Sequence, residues 1–175
     1  VRTDSGDAEG EVMETRPVEG VDAARVEAVV AEFRGDISQV PPMHSAIKKD
    51  GQPLYKLARQ GVEVEREARQ VTIHALEVLR VEGDEIDIDV HCSKGTYIRT
   101  LAEDIGAALG CGGHLSRLVR TQAGPFTIEQ AVSLEDLEAR FEAGGPSALD
   151  ELLLPIEQAL AQWPPISLTA TSAHY

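Results

Sequence analysis

One run of ten residues combines side chains that can bind a carboxylate and a nucleobase. The run HCSKGTYIRT (residues 91–100) ends a predicted strand, turns at Lys94-Gly95 and begins a predicted helix. The first turn of a helix has free backbone N–H groups, and here it presents Tyr97 and Arg99. Arg99 can hold a carboxylate through two parallel hydrogen bonds, and Tyr97 can stack on a base. The same spacing also fits a surface arginine whose stem covers a partly buried tyrosine, so both interpretations stay open.

A second run places two arginines around a leucine. Arg117 and Arg120 flank Leu118 within HLSRLVR, and the run 114–122 is predicted to be a strand. Two basic side chains this close can contact phosphates. An ordinary half-buried strand with solvated arginines has the same pattern, and spacing alone favours that interpretation.

A third stretch, PPMHSAIKKDGQPLYKLARQGVEVEREARQ (41–70), is rich in charge and poor in core residues. Basic and aromatic side chains interleaved in this way suit RNA, although three glutamates offset much of the charge. The stretch is therefore either a solvated loop or an arm that contacts a polyanion. Asp50-Gly51 indicates a turn, and Pro53 and Gly61 can begin and end a short helix.

Other chemistries have no support in the sequence. No GxGxxG loop follows a strand, and neither a Walker loop nor an HExxH motif is present. The two cysteines, Cys92 and Cys111, are not in a CxxC pair, which argues against a zinc site. The sequence thus predicts neither a metal nor a cofactor.

The net charge of −14 argues, taken whole, against a nucleic-acid partner, because phosphate contacts need lysine and arginine. The charge is uneven, however. Residues 1–36 hold 4 basic and 10 acidic side chains, and residues 121–175 hold 1 basic and 8 acidic. Residues 44–120 hold 11 and 12, so a local positive surface can form in this nearly neutral middle.

Periodicity predicts both helices and strands. Apolar spacing indicates helices over 21–34 and 97–109, ended by Gly35 and Gly110. The runs 71–81 and 85–93 indicate a hairpin, whose second strand alternates apolar and polar residues. Ser133 can cap a further helix that runs to about residue 142. The fold class is therefore α+β, with a mixed, mainly antiparallel sheet and flanking helices.

Taken together, these runs resemble the TruB-type tRNA pseudouridine synthases. The matching stretches are RTDSGDAEGEV (2–12), residues 33–69, residues 91–126 and LLPIEQAL (153–160), in the family's order and spacing. The resemblance implies an isomerase that flips a uridine of the tRNA T loop into a pocket and converts it to pseudouridine. It implies no cofactor and an essential aspartate in a Gly-Leu-Asp-Pro-like motif, which this sequence does not contain. We therefore expect the chain to be inactive alone.

The resemblance also assigns roles to residues. It matches Arg99 to the arginine that pairs with the catalytic aspartate, and Tyr97 to a pocket tyrosine on the same turn. It matches Leu118 to the residue packed against the flipped base, with Arg117 and Arg120 as basic neighbours. Residues 41–70 resemble the insertion that clamps the T stem-loop, and the candidate RNA contacts there are Met43, His44, Lys48 and Lys49.

The resemblance further suggests how the chain is organised. Residues 1–160 would form a partial catalytic domain, and 161–175 a linker and the start of a C-terminal RNA-binding domain. A missing N-terminal segment would be supplied in trans or lost, and the isolated chain would be marginally stable. A non-catalytic fragment that binds RNA or a partner is the alternative, and an acidic domain unrelated to RNA is the third. No apolar run approaches the length of a membrane span and no signal peptide begins the sequence, so we expect a cytoplasmic protein.

Overall fold

The computed structural model describes residues 1–169 and 172. Its contacts divide the chain into two units, Val1–Leu118 and Val119–Tyr175, and each unit is described by itself below. The predicted domains, 1–160 and 161–175, have a different boundary from these two units, and that division of the chain stays a prediction.

The first unit contains seven strands and three helices. Its strands are β1 (Arg2–Thr3), β2 (Val12–Glu14), β3 (Gly35–Gln39), β4 (Lys48–Lys49), β5 (Gln52–Pro53), β6 (Arg69–Glu82) and β7 (Glu85–Cys92). Its helices are α1 (Ala23–Ala31), α2 (Leu54–Ala58) and α3 (Ile98–Leu109). β3, β6 and β7 form one sheet in that order, while β1–β2 and β4–β5 are separate two-stranded pairs. All of these strand pairs are antiparallel, which confirms the α+β fold class.

The core of this unit lies between the sheet and two helices. α1 packs against β6 and against α3. The fully enclosed side chains come from all three elements, and they are Val26, Val30, Ile73, Leu76, Leu101, Ile105 and Leu109. The core therefore fixes α3 through its middle and its end.

The predicted hairpin is confirmed, and its alternation explains how the sheet meets the core. The four apolar side chains of β7, which are Ile86, Ile88, Val90 and Cys92, pack against the core cluster. The intervening residues, Asp87, Asp89 and His91, are exposed. The period of two thus places one face of β7 toward the helices and the other toward water.

Helix α3 also agrees with the prediction. It begins after Tyr97 and ends at Gly110, whose φ of 86° is the left-handed conformation that glycine adopts easily. Arg25 Nη2 donates to the Leu109 carbonyl at 2.7 Å, which satisfies one of the last acceptors of the helix.

Two predictions of secondary structure were wrong. Gly35 does not cap α1, because the helix already ends at Ala31 and Gly35 begins β3, which pairs with β6. The run 114–122 is not a strand: only Leu115 forms a bridge, with Asp7, and Gln122 begins a later short strand. The backbone at Leu115 donates to Gly6 O at 2.9 Å, so this segment is bound to a loop and joins no sheet.

The second unit consists of short elements. They are β8 (Gln122–Ala123), β9 (Phe126–Thr127), α4 (Leu134–Gly144), α5 (Pro146–Asp150) and two 3-10 turns, Ile128–Gln130 and Ile156–Leu160. Ser133 caps α4 as predicted, since its side chain accepts from Asp136 N. Within the described part of this unit, no side chain is fully buried.

None of the helices among the described residues is both long enough and apolar enough to cross a membrane.

Helix α3 comes into close contact with the chain that follows it. A Cβ built on Gly106 would lie 2.2 Å from Gly113 N and 2.4 Å from Gly112 C, distances that no side chain can accept. Gly106 O also accepts a hydrogen bond from Gly112 N at 2.9 Å. A glycine in the middle of the helix is therefore required by packing, despite its poor helix propensity.

This close approach predicts a large effect for one methyl group. We expect Gly106→Ala to lower the free energy of unfolding by about 2 kcal/mol, because backbone atoms must move to admit the Cβ. The exposed Ala107→Ser on the same helix serves as control and should change it by about 0.5 kcal/mol or less. Urea denaturation measures both. If Gly106→Ala were instead stabilising, the gain in helix propensity would outweigh the contact, and the packing argument would be wrong.

Candidate active site

The Arg99 side chain joins three segments that are far apart in sequence. Its Nη1 donates to Asp7 Oδ2 at 3.0 Å and to the Ser5 carbonyl at 3.1 Å. Its Nη2 donates to the His44 carbonyl at 2.6 Å. The Arg99 and Asp7 side chains are 24% and 29% exposed, so the pair is only partly screened by water. The guanidinium is thus held in place by acceptors from two other segments of the chain.

The loop that carries Asp7 is fixed by its own hydrogen bonds. Ser5 Oγ donates to Asp7 Oδ1 at 2.7 Å, and Glu9 N donates to the same oxygen at 3.2 Å. Thr3 Oγ1 donates to the Asp7 carbonyl at 2.7 Å, and Asp4 Oδ1 accepts from Glu11 N at 2.8 Å. Asp7 therefore meets Arg99 as a preorganised carboxylate.

These contacts keep Asp7 ionised. The Ser5 hydroxyl first, then the Glu9 N–H and the Arg99 guanidinium, hold the pKa of Asp7 below its usual value, although burial opposes them. A lowered pKa in the folded state means that the pair stabilises the fold above the pKa of the unfolded chain. That stability is lost as the pH falls through the folded-state pKa.

The turn before α3 sets the direction of Arg99. Gly95 has a φ of 87°, and Tyr97 follows in an extended conformation as the N-cap of the helix. The Gln39 carboxamide holds the Tyr97 backbone: Tyr97 N donates to Oε1 at 3.1 Å, and Nε2 donates to Tyr97 O at 3.3 Å. The Tyr97 side chain itself is half-buried.

A cavity of 510 Å³ lies beside this turn. Its wall includes Met43, His44 and Thr100, together with the charged side chains of Arg2, Asp4, Glu63, Arg66 and Glu103. Burial raises the pKa of Glu103, partly opposed by the charge of Arg2. Thr100 Oγ1 is buried without a hydrogen-bond partner among the described residues. The wall thus offers both signs of charge.

Two other predicted site residues, Leu118 and Arg117, take no part in the hydrogen bonds that hold Arg99. Leu118 is 57% exposed. Arg117 is exposed near β7, where Arg80, and more weakly Arg117, lower the pKa of Asp87. Both follow Leu115, which is paired with Asp7. Arg120 belongs to the second unit.

The two lysines of the predicted RNA arm lie in β4 and are exposed. The turn predicted at Asp50-Gly51 joins β4 to β5, with φ angles of 51° and 82°. Lys49 Nζ donates to the Glu65 carbonyl at 2.8 Å. Lys48 has no hydrogen-bond acceptor in the part of the chain that the structure describes. The two ammonium groups are therefore not equivalent.

The sequence did not single out Asp7 or Gln39. Ser5-Gly6-Asp7 had the composition of a turn, but nothing in it indicated a partner 92 residues later. Gln39 stands in a stretch with no predicted strand, so no pattern pointed to it. Both become visible only through contacts that the fold creates.

Two family models match consecutive parts of the chain, which together cover residues 1–161. Residues 1–98 match the TruB family pseudouridylate synthase (N terminal domain), and residues 99–161 match the tRNA pseudouridylate synthase B C-terminal domain. The first match alone covers more than half of the chain.

Curated relatives agree. The tRNA pseudouridine synthase B of Pseudomonas putida (strain GB-1) is 58% identical over 173 residues, which is 99% of this chain and 56% of the relative. The enzyme of the same name from Ectopseudomonas mendocina (strain ymp) is 56% identical over 175 residues, 100% of this chain and 57% of the relative. The chain thus spans little more than half the length of these proteins.

Solved structures show the same fold. A chain in the crystal structure of a Cbf5-Nop10-Gar1 complex matches 81% of this chain with a TM-score of 0.64 and 33% identity, over 40% of its own length. A chain in an H/ACA RNP bound to a substrate RNA containing 2'-deoxyuridine matches 81% with a TM-score of 0.60 and 28% identity, over 38% of its length. With the two matching family models, these likenesses confirm the resemblance drawn from the sequence, and the chain belongs to the TruB family of pseudouridylate synthases.

Proposed function

We propose that this chain is part of an enzyme that converts a uridine in the T loop of tRNA to pseudouridine. Family membership and the names of the relatives support the isomerase activity. The observation that carries the proposal is the fixed Arg99 guanidinium on the first turn of α3, next to a cavity. Such a site needs neither metal nor cofactor, and the enzyme is expected to work in the cytoplasm.

The contacts of Arg99 leave room for a second carboxylate. A guanidinium has five N–H groups, and those in contact with Asp7, Ser5 and His44 account for three of them. The Nε–H and one Nη2–H have no acceptor among the described residues. A carboxylate that approached the Nε side of the guanidinium would meet Nε and Nη2 with its two oxygens. An aspartate nucleophile supplied from outside the 175 residues would bind there, oriented and kept ionised by the positive charge.

The remaining site residues would receive the RNA. Flipping a uridine out of the T loop costs a few kcal/mol of stacking, which Tyr97 would offset by contact with the base. Leu118 would pack against the flipped base, and Arg117 and Arg120 would contact phosphates. Met43 and His44 line the cavity and would contact the loop from the opposite side.

The stretch 41–70 would hold the stem of the RNA. Five of its six basic residues are exposed, namely Lys48, Lys49, Lys56, Arg59 and Arg69. Residues 44–120 are nearly neutral in sum. The attraction to RNA would therefore depend on the positions of the basic side chains and not on the net charge of this region. A non-catalytic RNA-binding or partner-binding fragment is the alternative, favoured for the isolated chain by the lack of a Gly-Leu-Asp-Pro-like motif.

Transplanting the chain tests the proposed activity. In a chimera, residues 1–175 replace the matching stretch of the Pseudomonas putida enzyme, which supplies the rest of the protein. We expect the chimera to release tritium from T stem-loop RNA labelled at uridine C5, because the C5 proton is lost as pseudouridine forms. The isolated chain should release none. Activity of the isolated chain would contradict the proposed aspartate outside it, and an inactive but folded chimera would contradict the function.

Removing the guanidinium tests the role of Arg99. In the chimera, Arg99→Ala should lower kcat by about 100-fold or more, because a preorganised charge in the site is lost. Arg80→Ala is the matched control, since Arg80 also pairs with acids, namely Glu82, Glu85 and Asp87, but on the exposed end of the hairpin. It should leave kcat within about twofold. Equal losses in the two variants would mean that Arg99 acts only through stability.

The two lysines of β4 give a test of RNA binding. Adjacent residues of a strand point to opposite sides, and only Lys49 is held by a carbonyl. Lys48→Ala should therefore weaken binding of T stem-loop RNA more than Lys49→Ala. It should also reduce the slope of log K against log salt by about 0.7 to 0.9, the loss of one phosphate contact. Fluorescence anisotropy at several salt concentrations measures both, and unchanged slopes would exclude Lys48 as a contact.

A further inference from the structure

Gln39 is a buried polar residue on the face of β3 that packs against the core, where apolar residues are expected. It is the last residue of β3 and only 2% exposed. Alternate residues of a strand share a face, so Gln39 lies on the face of Ile37, which packs against the core. A carboxamide in this place is tolerated only when its hydrogen bonds are made. Both of the bonds recorded for it go to the backbone of Tyr97.

These bonds hold the point at which the chain enters α3. Tyr97 has the extended φ and ψ of −99° and 106°, and its side chain makes no capping bond. Its carbonyl also accepts from Leu101 N at 3.0 Å, which closes the first turn of the helix. The Gln39 amide therefore fixes both backbone polar groups of the residue two positions before Arg99.

The segment that follows Gln39 makes a second contact with the first turn of α3. Five residues later, the His44 carbonyl accepts from Arg99 Nη2. Pro41 and Pro42 lie between the two contacts, and each has a fixed φ. Arg66 Nη1 also donates to the Pro41 carbonyl at 3.4 Å. Residues 39–44 thus form a stiff strap that holds the backbone of the turn at one end and the Arg99 side chain at the other.

We propose that Gln39 is a positioning residue, which orients Arg99 toward Asp7 and the reacting acid by holding the Tyr97 backbone. The catalytic part of this inference rests on the proposed function; the part that concerns Arg99 and Asp7 does not. The core holds α3 through Leu101, Ile105 and Leu109, and the partly buried Ile98 also packs against it. Tyr97, the residue before the helix, is held instead by the Gln39 carboxamide.

A titration of the isolated chain tests the positioning without any activity. The Asp7 carboxyl has a lowered pKa to which Arg99 contributes, so its NMR titration reports whether the guanidinium is in place. Gln39→Met keeps the side-chain length and removes both hydrogen bonds. The midpoint should move upward by about half of the displacement that Arg99→Gln produces. Val30→Ala, a core truncation in α1, is the control for lost stability and should leave the midpoint where it is.

Kinetics of the chimera test the catalytic consequence. Gln39→Met should lower kcat by about 10-fold to 100-fold, as expected for misplacing a catalytic group by about 1 Å, with KM within about twofold. Val30→Ala, assayed below its melting temperature, should change neither. A purely structural role for Gln39 predicts the same result for both variants.

Gln39→Glu adds a readout that depends on a single proton. A protonated carboxyl can accept from Tyr97 N and donate to Tyr97 O, as the carboxamide does, whereas a carboxylate can only accept. Burial raises the pKa of such a group, so kcat relative to the Gln39 chimera should rise as the pH falls. Dividing by the rate of the unsubstituted chimera at each pH cancels the titrations common to both proteins.

The outcomes separate the two proposals. An inactive Gln39 chimera would overturn the proposed function, and the Asp7 titration would still decide the positioning. An active chimera in which Gln39→Met matches Val30→Ala, with an unmoved Asp7 midpoint, would overturn the inference. If Gln39→Met does not fold, a flat pH profile for Gln39→Glu would overturn it equally.

Discussion

The half-buried Arg99 guanidinium needs a counter-charge and hydrogen-bond acceptors, and the fold of the first unit brings them from distant parts of the chain. Arg99 finds its acceptors on a loop 92 residues away and on a carbonyl 55 residues away. Bringing three such distant segments together costs chain entropy, and one ion pair with partial exposure returns little of it. The core of α1, α3 and the sheet supplies the rest. The position of the Arg99 charge is therefore a consequence of the packing, and the proposed second carboxylate would meet it there.

The parts of the fold that follow one repeating pattern could be predicted from the sequence. β7 and α3 each bury a single face. The spacing of their apolar residues, every second residue in β7 and every third or fourth in α3, therefore predicts the element correctly. β3 could not be found in this way, because GDISQ has one apolar residue facing the core and begins with glycine. Its strand conformation comes from pairing with β6, which no local pattern records. The run 114–122 failed for the opposite reason: its residues have strand propensity, but the Leu115 backbone is bound to the loop that carries Asp7.

The candidate site shows the same division. Arg99 and Tyr97 were selected because their types and their place at a helix start permit recognition of an acid and a base. The acid that pairs with Arg99 within the chain could not be selected in this way, because the sequence contains thirty acidic residues and residue type does not distinguish among them. What distinguishes Asp7 is its loop: Thr3 and Asp4 bond to the loop backbone, and the Ser5 hydroxyl donates to the Asp7 carboxylate. Gln39 was invisible because glutamine at the end of a strand has no chemical signature, and its importance comes from the backbone that it meets.

The contacts of the first unit also bear on the conflict between a net charge of −14 and the proposed RNA substrate. Several acids of the first 36 residues have internal tasks: Asp22 caps α1, Glu27 pairs with Arg34, and Glu14 pairs with Arg2 and Arg16. These carboxylates are acidic in the composition but locally balanced. Exposed charges separated by more than about 8 Å are largely screened at physiological ionic strength. A phosphate therefore responds to the basic side chains within its reach, and the total charge of the chain governs long-range approach more than contact. The net charge can therefore indicate a partner only once the structure shows which charged side chains already form ion pairs or cap helices within the chain.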